Sequence, residues 1–233
     1  MTARLPADER VGEMLEATFG DLRIAYDQRV LTPRAWTAEQ SAWAADLLPE
    51  VPTGPVLELC CGAGHIGLLA VQGSVRDLVQ VDLDPVACTF ARLNADRVRP
   101  LGRVEIRNTS LETATGPGER FALVIADPPY LPHDEISVYP DDPELAVDGG
   151  PDGLDVVWAC LEVIRVHLAA GGQSVMQLRD GHQAEVVRNR LAGGELGDLR
   201  LLECRAVGAS GVLCRLAHVE MGSGSVGDGD ARR

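Results

Sequence analysis

Asp127-Pro128-Pro129-Tyr130 follows directly on the apolar run Phe121 to Ala126, and these residue types in this order can do chemistry on a nitrogen. Two consecutive prolines donate no ladder hydrogen bonds, so the chain must leave a sheet there in a rigid extended turn. The Asp127 carboxylate and the Pro128 carbonyl are acceptors, and the Tyr130 ring offers a π face. Together they make a cup for a planar N–H2 group, with Pro129 and Tyr130 against the group that bears it. The acceptors take the two hydrogens, and the lone pair is left to be aimed at an electrophile. Catalysis in such a cup is orientation plus stabilisation of charge developing on nitrogen. A D-P-P-Y turn taken alone also fits a purely structural role, so the weight rests on what accompanies it.

What accompanies it is Pro55 to Leu68, PVLELCCGAGHIGL. Val56, Leu57 and Leu59 suit a short buried strand, and Gly62 and Gly64 let the backbone turn sharply and approach a ligand. Ile66, Leu68, Leu69 and Val71 supply the apolar side of a following helix, whose free N–H groups would point back at the loop. Gly62, Gly64 and Gly67 also satisfy the dinucleotide pattern G-x-G-x-x-G. Glu58 separates that pattern from the acidic-strand version, E-x-x-x-G-x-G, of S-adenosylmethionine enzymes. A carboxylate in the strand just before the turn repels a pyrophosphate and holds the cationic amino and sulfonium groups of S-adenosylmethionine. The expected cofactor contacts are therefore Glu58, Cys60, Gly62, Ala63 and Gly64, with Asp127 at the reacting end. Asp82 ends the next apolar run, about 20 residues past the glycine turn, where nucleotide folds place a carboxylate against ribose hydroxyls. Leu83 and Ser110 complete the expected set.

Strand and helix patterns alternate around these stretches. Leu78 to Asp82 reads as a strand, followed by a helix that Asp84 caps and Pro85 begins. Strands are expected at Arg103 to Arg107 and Phe121 to Ala126, a long helix from Asp152 to Ala170 stopped by Gly171-Gly172, and strand, helix and two strands to His218. This predicts a doubly wound α/β sheet with its ligand at the carboxyl ends of the strands. Before it, Val11, Met14, Leu15 and Phe19 fall at helical spacing, which predicts a helix from Pro6 to Phe19 ended by Gly20. The segment LRIAYDQRVLTPR predicts two short strands joined near Asp27-Gln28, and Thr37 is placed to cap a helix carrying Trp43 and Leu47. The expected organisation is residues 1–50 packed on a core of 51–219, with a disordered tail at 220–233.

With 233 residues and 45% hydrophobic content the chain can bury one real core. Its net charge of −14 argues against broad nucleic-acid binding, although a local basic groove remains compatible. All 21 basic residues are Arg. Six cysteines without C-x-x-C spacing read as buried thiols in a reducing compartment. No signal core or bilayer-length apolar run is present, which predicts a cytoplasmic protein with no membrane partner and no metal. His65 and His133 flank the site without a partner at metal spacing and read as polar loop residues. The acidic residues Asp134, Glu135, Asp141, Asp142 and Glu144 read as a solvated loop or as a lid that attracts a basic partner.

Four stretches carry a family resemblance: VLTPR at Val30 to Arg34, ELCCGAGHIGL at Glu58 to Leu68, DPPYLP at Asp127 to Pro132, and PELAVDGGPDGLD at Pro143 to Asp155. They resemble class I S-adenosylmethionine-dependent methyltransferases, and among these the release-factor (protein) glutamine N5-methyltransferases. The resemblance covers about Val30 to Val219. It implies a Rossmann-like, mostly parallel seven-stranded sheet with a short N-terminal helical and hairpin extension. It also implies S-adenosylmethionine as cofactor and transfer of its methyl group to the side-chain amide of a protein glutamine, with a release factor among the possible partners. Asp127, Pro128 and Tyr130 would be catalytic, and Pro33, Arg34, Pro129 and Tyr130 would meet the substrate. Asp127 stands where that family has Asn, and Ser110 where it has an acid on the adenine amino group. Asp is common in enzymes that methylate base amino groups, so a nucleic-acid base and a small-molecule amine are the alternative acceptors.

Overall fold

The computed structural model describes residues 13–209 and 211–219. The central strands form where apolar runs can be buried on both faces. β3 (Val56–Leu59) and β6 (Phe121–Ala126) are buried at every position. They lie side by side and parallel, Leu57 opposite Val124 and Leu59 opposite Ala126. β4 (Leu78–Asp82) and β5 (Val104–Asn108) extend the sheet on the far side of β3. β7 (Leu168–Leu178), β9 (Gly211–His218) and β8 (Leu199–Val207) extend it beyond β6, giving the order β5-β4-β3-β6-β7-β9-β8. β9 runs antiparallel to both of its neighbours.

Alternate side chains of the inner strands serve opposite apolar layers. Val56, Leu123 and Ile125 pack with α1 (Ala38–Leu47), α2 (His65–Ala70) and α3 (Pro85–Val98). Leu57, Leu59 and Val124 pack with α5 (Asp155–His167) and α6 (Gly181–Ala192). α3 begins as its sequence directs: Asp84 caps it by accepting from the Val86 N–H at 2.8 Å, and Pro85 takes the first position, where no N–H is needed. All six cysteines are free thiols. Among the described residues no helix is long and apolar enough to cross a membrane.

The sheet order reverses between β3 and β6: the chain steps outward from β3 to β4 and β5, then returns to β6 on the other side. A crevice opens at such a switch point beyond the carboxyl ends of the strands. The glycine loop leaves the end of β3 and the double proline leaves the end of β6, so this topology sets the two motifs side by side.

Four expectations are corrected. Leu15–Phe19 is not the end of a helix but β1, paired antiparallel with β2 (Leu22–Tyr26) around Gly20 at φ +59°; the part of that helix before residue 13 lies outside the described residues. The hairpin wins because it buries Phe19, Leu22, Ile24 and Ala25 against the sheet layer, a gain that local periodicity does not register. After β2 the chain turns, Val30 N–H bonding to Asp27 C=O at 3.1 Å, and no second strand follows before α1. Thr37 precedes α1 but its hydroxyl donates to Arg34 C=O at 2.9 Å and caps no helical N–H. Finally, α5 ends at His167 and β7 starts at Leu168, so Gly171 and Gly172 lie inside a strand. The register of β7 shifts there against β6, and a Cβ on Gly172 would come within 2.9 Å of the Ala122 carbonyl oxygen. The glycines permit this irregular close approach to β6 and do not stop a helix. The proposed tail at 220–233 lies outside the described residues.

Candidate functional site

Two cavities open at the switch point. The first, about 390 Å³, follows the glycine loop and is lined by Cys60, Gly62, Asp82, Leu83, Ser110 and Asp127 among others. The second, about 330 Å³, lies over the double proline and is lined by Arg34, Asp127, Pro128, Pro129, Tyr130 and further residues. Asp127 and Pro129 line both. Pro33 is buried and lines neither.

The glycine loop is built in two levels. Its upper level faces the cavity: Cys60 at φ 56°, then Gly62 at φ 52°, whose N–H donates to Asp82 Oδ2 at 2.7 Å. Asp82 Oδ1 takes the Asp84 N–H at 2.9 Å, so the carboxylate is oriented by backbone donors and keeps lone pairs for a ligand. Its lower level is buried. Ala63 and Gly64 sit out of the cavity; Asn94 donates to Ala63 C=O at 2.9 Å and Gln80 to Gly64 C=O at 2.8 Å. Glu58 belongs to this level too. It is buried, lines neither cavity, and accepts from Gly67 N–H at 3.0 Å and from the Gln80 amide. The N–H of α2 expected to face the loop is thus committed to Glu58, and Gly67 is a glycine because a Cβ there would collide with Glu58 Oε2. Glu58 acts on the cavity as a support from beneath, not as a wall.

Around the double proline, backbone geometry is fixed by groups far away in the chain. Gln40 of α1 donates to Ala126 C=O at 2.9 Å and to Val175 C=O at 3.2 Å, tying the end of β6 to the neighbouring β7 just before Asp127. Gln183 of α6 donates to Tyr130 C=O at 3.0 Å and to Gly153 C=O at 3.2 Å. The GGPDGLD stretch closes on the same loop: Gly149 N–H bonds to Leu131 C=O at 2.9 Å, and His133 N–H to Gly150 C=O at 3.0 Å. Gly153 at φ +75° leaves no room for a Cβ beside Tyr130 C=O. Of the acidic run, Asp142 lines the second cavity. Asp142 pairs with Arg34 at 2.5 Å and Glu135 with Arg179 at 2.6 Å, and α4 (Glu144–Val147) follows.

Burial pushes the Asp127 carboxyl up to about 7, against the opposing pull of the Arg34 guanidinium. It pushes Glu58 to about 8 despite the hydrogen bonds that favour its charged form, and it also raises Asp82. Three carboxyls that resist ionisation around one crevice would each ionise more readily once a cation lies beside them. The stability consequence has a definite sign. A carboxyl whose folded value is raised stabilises the fold fully below about pH 4 and loses that contribution as pH rises through the folded value, here about 7 and about 8. His65, held down to about 4 by burial, works in the other direction only below its unfolded value near 6.5. Carboxylates with lowered values, such as Glu119 at about 2 and Asp148, are ionised in both states above pH 6.5. The melting temperature of the ligand-free protein should therefore fall from pH 6.5 to 8.5, and Glu58→Gln should flatten the fall. A curve that rises over this range in scanning calorimetry would show the carboxyls ionised in the native state.

The family model described as "Conserved hypothetical protein 95" matches residues 41–139. A methyltransferase from Pyrococcus furiosus superposes with a TM-score of 0.61 at 19% identity, covering 84% of this chain and 89% of that one. The fold is that of the class I S-adenosylmethionine-dependent methyltransferases. Within that class the chain is similar to glutamine methyltransferases. It is 30% identical over 181 residues to the release factor glutamine methyltransferase of Deinococcus radiodurans, covering 76% of this chain and 63% of the relative. It is 29% identical over 194 residues to the ribosomal protein uL3 glutamine methyltransferase of Burkholderia pseudomallei, covering 78% and 62%. The chain thus spans about three fifths of the length of these curated relatives.

Proposed function

We propose that the protein is an S-adenosylmethionine-dependent N-methyltransferase whose acceptor is the side-chain amide of a glutamine in a protein, as the names of its relatives suggest. The observation that carries the reading is that two cavities of ligand size, one at a glycine loop and one at a double proline, share the Asp127 and Pro129 wall. In this reading the first cavity takes the cofactor. Asp82 takes its ribose hydroxyls, the Gly62 turn and Cys60 lie along it, Leu83 and Ser110 stand at the adenine, and buried Glu58 lies beneath the loop, where a cationic group above it would favour its ionised form. The second cavity takes the acceptor: Asp127 and the Pro128 carbonyl accept its N–H hydrogens, Tyr130 packs on its plane, and Arg34 and Pro129 border it. Pro33 acts only through the backbone next to Arg34.

Bound S-adenosylmethionine would supply the methyl carbon, its carbon–sulfur bond breaking with the pair left on sulfur as the acceptor nitrogen bonds to that carbon. The nitrogen then loses one proton, for which Asp127, raised to about 7, is a matched recipient before water takes it. An Asp offers acceptors alone, which also suits the amino group of a nucleic-acid base. Incubating the enzyme with methyl-labelled S-adenosylmethionine and, separately, the Deinococcus radiodurans release factor, Burkholderia pseudomallei uL3, total RNA and a metabolite extract decides between them. Label on a protein glutamine is the expected result; label confined to RNA or metabolites would overturn it.

A further inference from the structure

Methyl transfer under the reading above takes place where the two cavities meet, so residues that line both border the reacting group from the cofactor side as well as the acceptor side. Five described residues do: Leu31, His65, Asp127, Pro129 and Ala146. Two of these have polar side chains, Asp127 and His65.

A carboxamide presents two N–H donors and one carbonyl acceptor, whereas an ionised Asp presents acceptors alone. Asp127 and the Pro128 carbonyl satisfy the nitrogen and leave the amide oxygen without a donor, and a desolvated carbonyl left bare would weaken binding. Three donors that border only the acceptor cavity are engaged elsewhere. Arg34 is paired with Asp142, Arg179 with Glu135, and the Thr37 hydroxyl with Arg34 C=O.

His65 is in the required state. Its ring is fixed by an edge-on contact with Phe19, centroids 4.6 Å apart and planes at 89°. Nδ1 is buried without a hydrogen-bond partner. A buried orphan lone pair costs less than a buried orphan N–H, which assigns the proton to Nε2 and leaves that nitrogen free to donate. We propose that His65 is the specificity-determining residue that donates to the carbonyl oxygen of a carboxamide acceptor, so that His65 and Asp127 together read the amide group.

The assignment rests on the glutamine reading, and the test keeps the two separable. Wild type, His65→Phe, His65→Gln and His65→Ala are compared in methyl transfer to the Deinococcus radiodurans release factor and Burkholderia pseudomallei uL3, with S-adenosylhomocysteine-induced thermal shifts as a check on the folded cofactor site. His65→Phe keeps the ring packed on Phe19 and removes the donor. It should lower kcat/KM about 10- to 100-fold, the range expected when a buried partner loses its hydrogen bond. His65→Gln, which can donate from a similar position, should recover much of that loss, and His65→Ala should not. Glutamine methylation that survives His65→Phe within twofold would overturn the assignment alone. A wild type that labels no glutamine on either protein would overturn the parent reading and the assignment with it.

Discussion

Asp127→Ala should lower the methyl-transfer rate about 100- to 1000-fold, the scale seen when one preorganised contact at a reacting centre is removed. Cofactor affinity should change little, because Asp82 and the Gly62 turn hold that ligand in this reading. An interaction made at the reacting centre lowers kcat and kcat/KM together. Asp127→Asn is the more informative change, since it replaces one acceptor oxygen by an N–H2 donor at the end of the same rigid strand. With a glutamine amide as acceptor, activity should survive or improve. With a base amino group that needs two acceptors it should fall sharply. Single-turnover rates and calorimetric cofactor titrations on both variants make the check. Cofactor binding lost in both, with the rate per bound complex unaltered, would place Asp127 in the cofactor site instead.

Asp82→Ala should weaken cofactor binding by about 1.5–3 kcal/mol, the range for hydrogen bonds to a charged group, or roughly 10- to 150-fold. The structure adds a second reason for a large effect. The same carboxylate holds the Gly62 N–H at 2.7 Å and the Asp84 N–H at 2.9 Å, so its removal frees the cavity-facing turn as well as the ribose contact. Titration calorimetry with S-adenosylhomocysteine measures the loss, and an unchanged affinity would mean that the ribose lies elsewhere.

The parts of this molecule legible in the sequence are those whose signals are local. β6 runs Phe121–Ala126 because an unbroken apolar run is bounded by two prolines, and α3 starts at Pro85 because Asp84 and Pro85 are a capping pair. Distant partners decided what was not legible. Leu15 and Phe19 fit a helix as well as a strand until β2 pairs with β1. The end of α5 was hidden because His167 to Ala170 continues an apolar pattern that β6 recruits into the sheet. Glu58 was recognised as the acid before the turn, but only the packing of α2 shows that its side chain points under the loop and takes Gly67 N–H. His65 read as a loop residue because nothing nearby in sequence marks Phe19 as its neighbour or the second cavity as its exposure. Gln80, the one polar residue inside the otherwise apolar strand Leu78 to Val81, was the available hint that something beneath the loop needed a donor.

The bracing of the site has one chemical trait in common: Gln40, Gln80, Asn94 and Gln183 all hold backbone carbonyls around it through side-chain amides. Amides do not titrate in the range where Asp127, Glu58 and Asp82 exchange protons. Acidity can therefore change the charge that the crevice presents while the carbonyls held by these amides keep their places. The Gly62 turn is the exception, since a titrating carboxyl, Asp82, holds its N–H; swings in pH would be felt at the cavity-facing turn and hardly at all around the double proline.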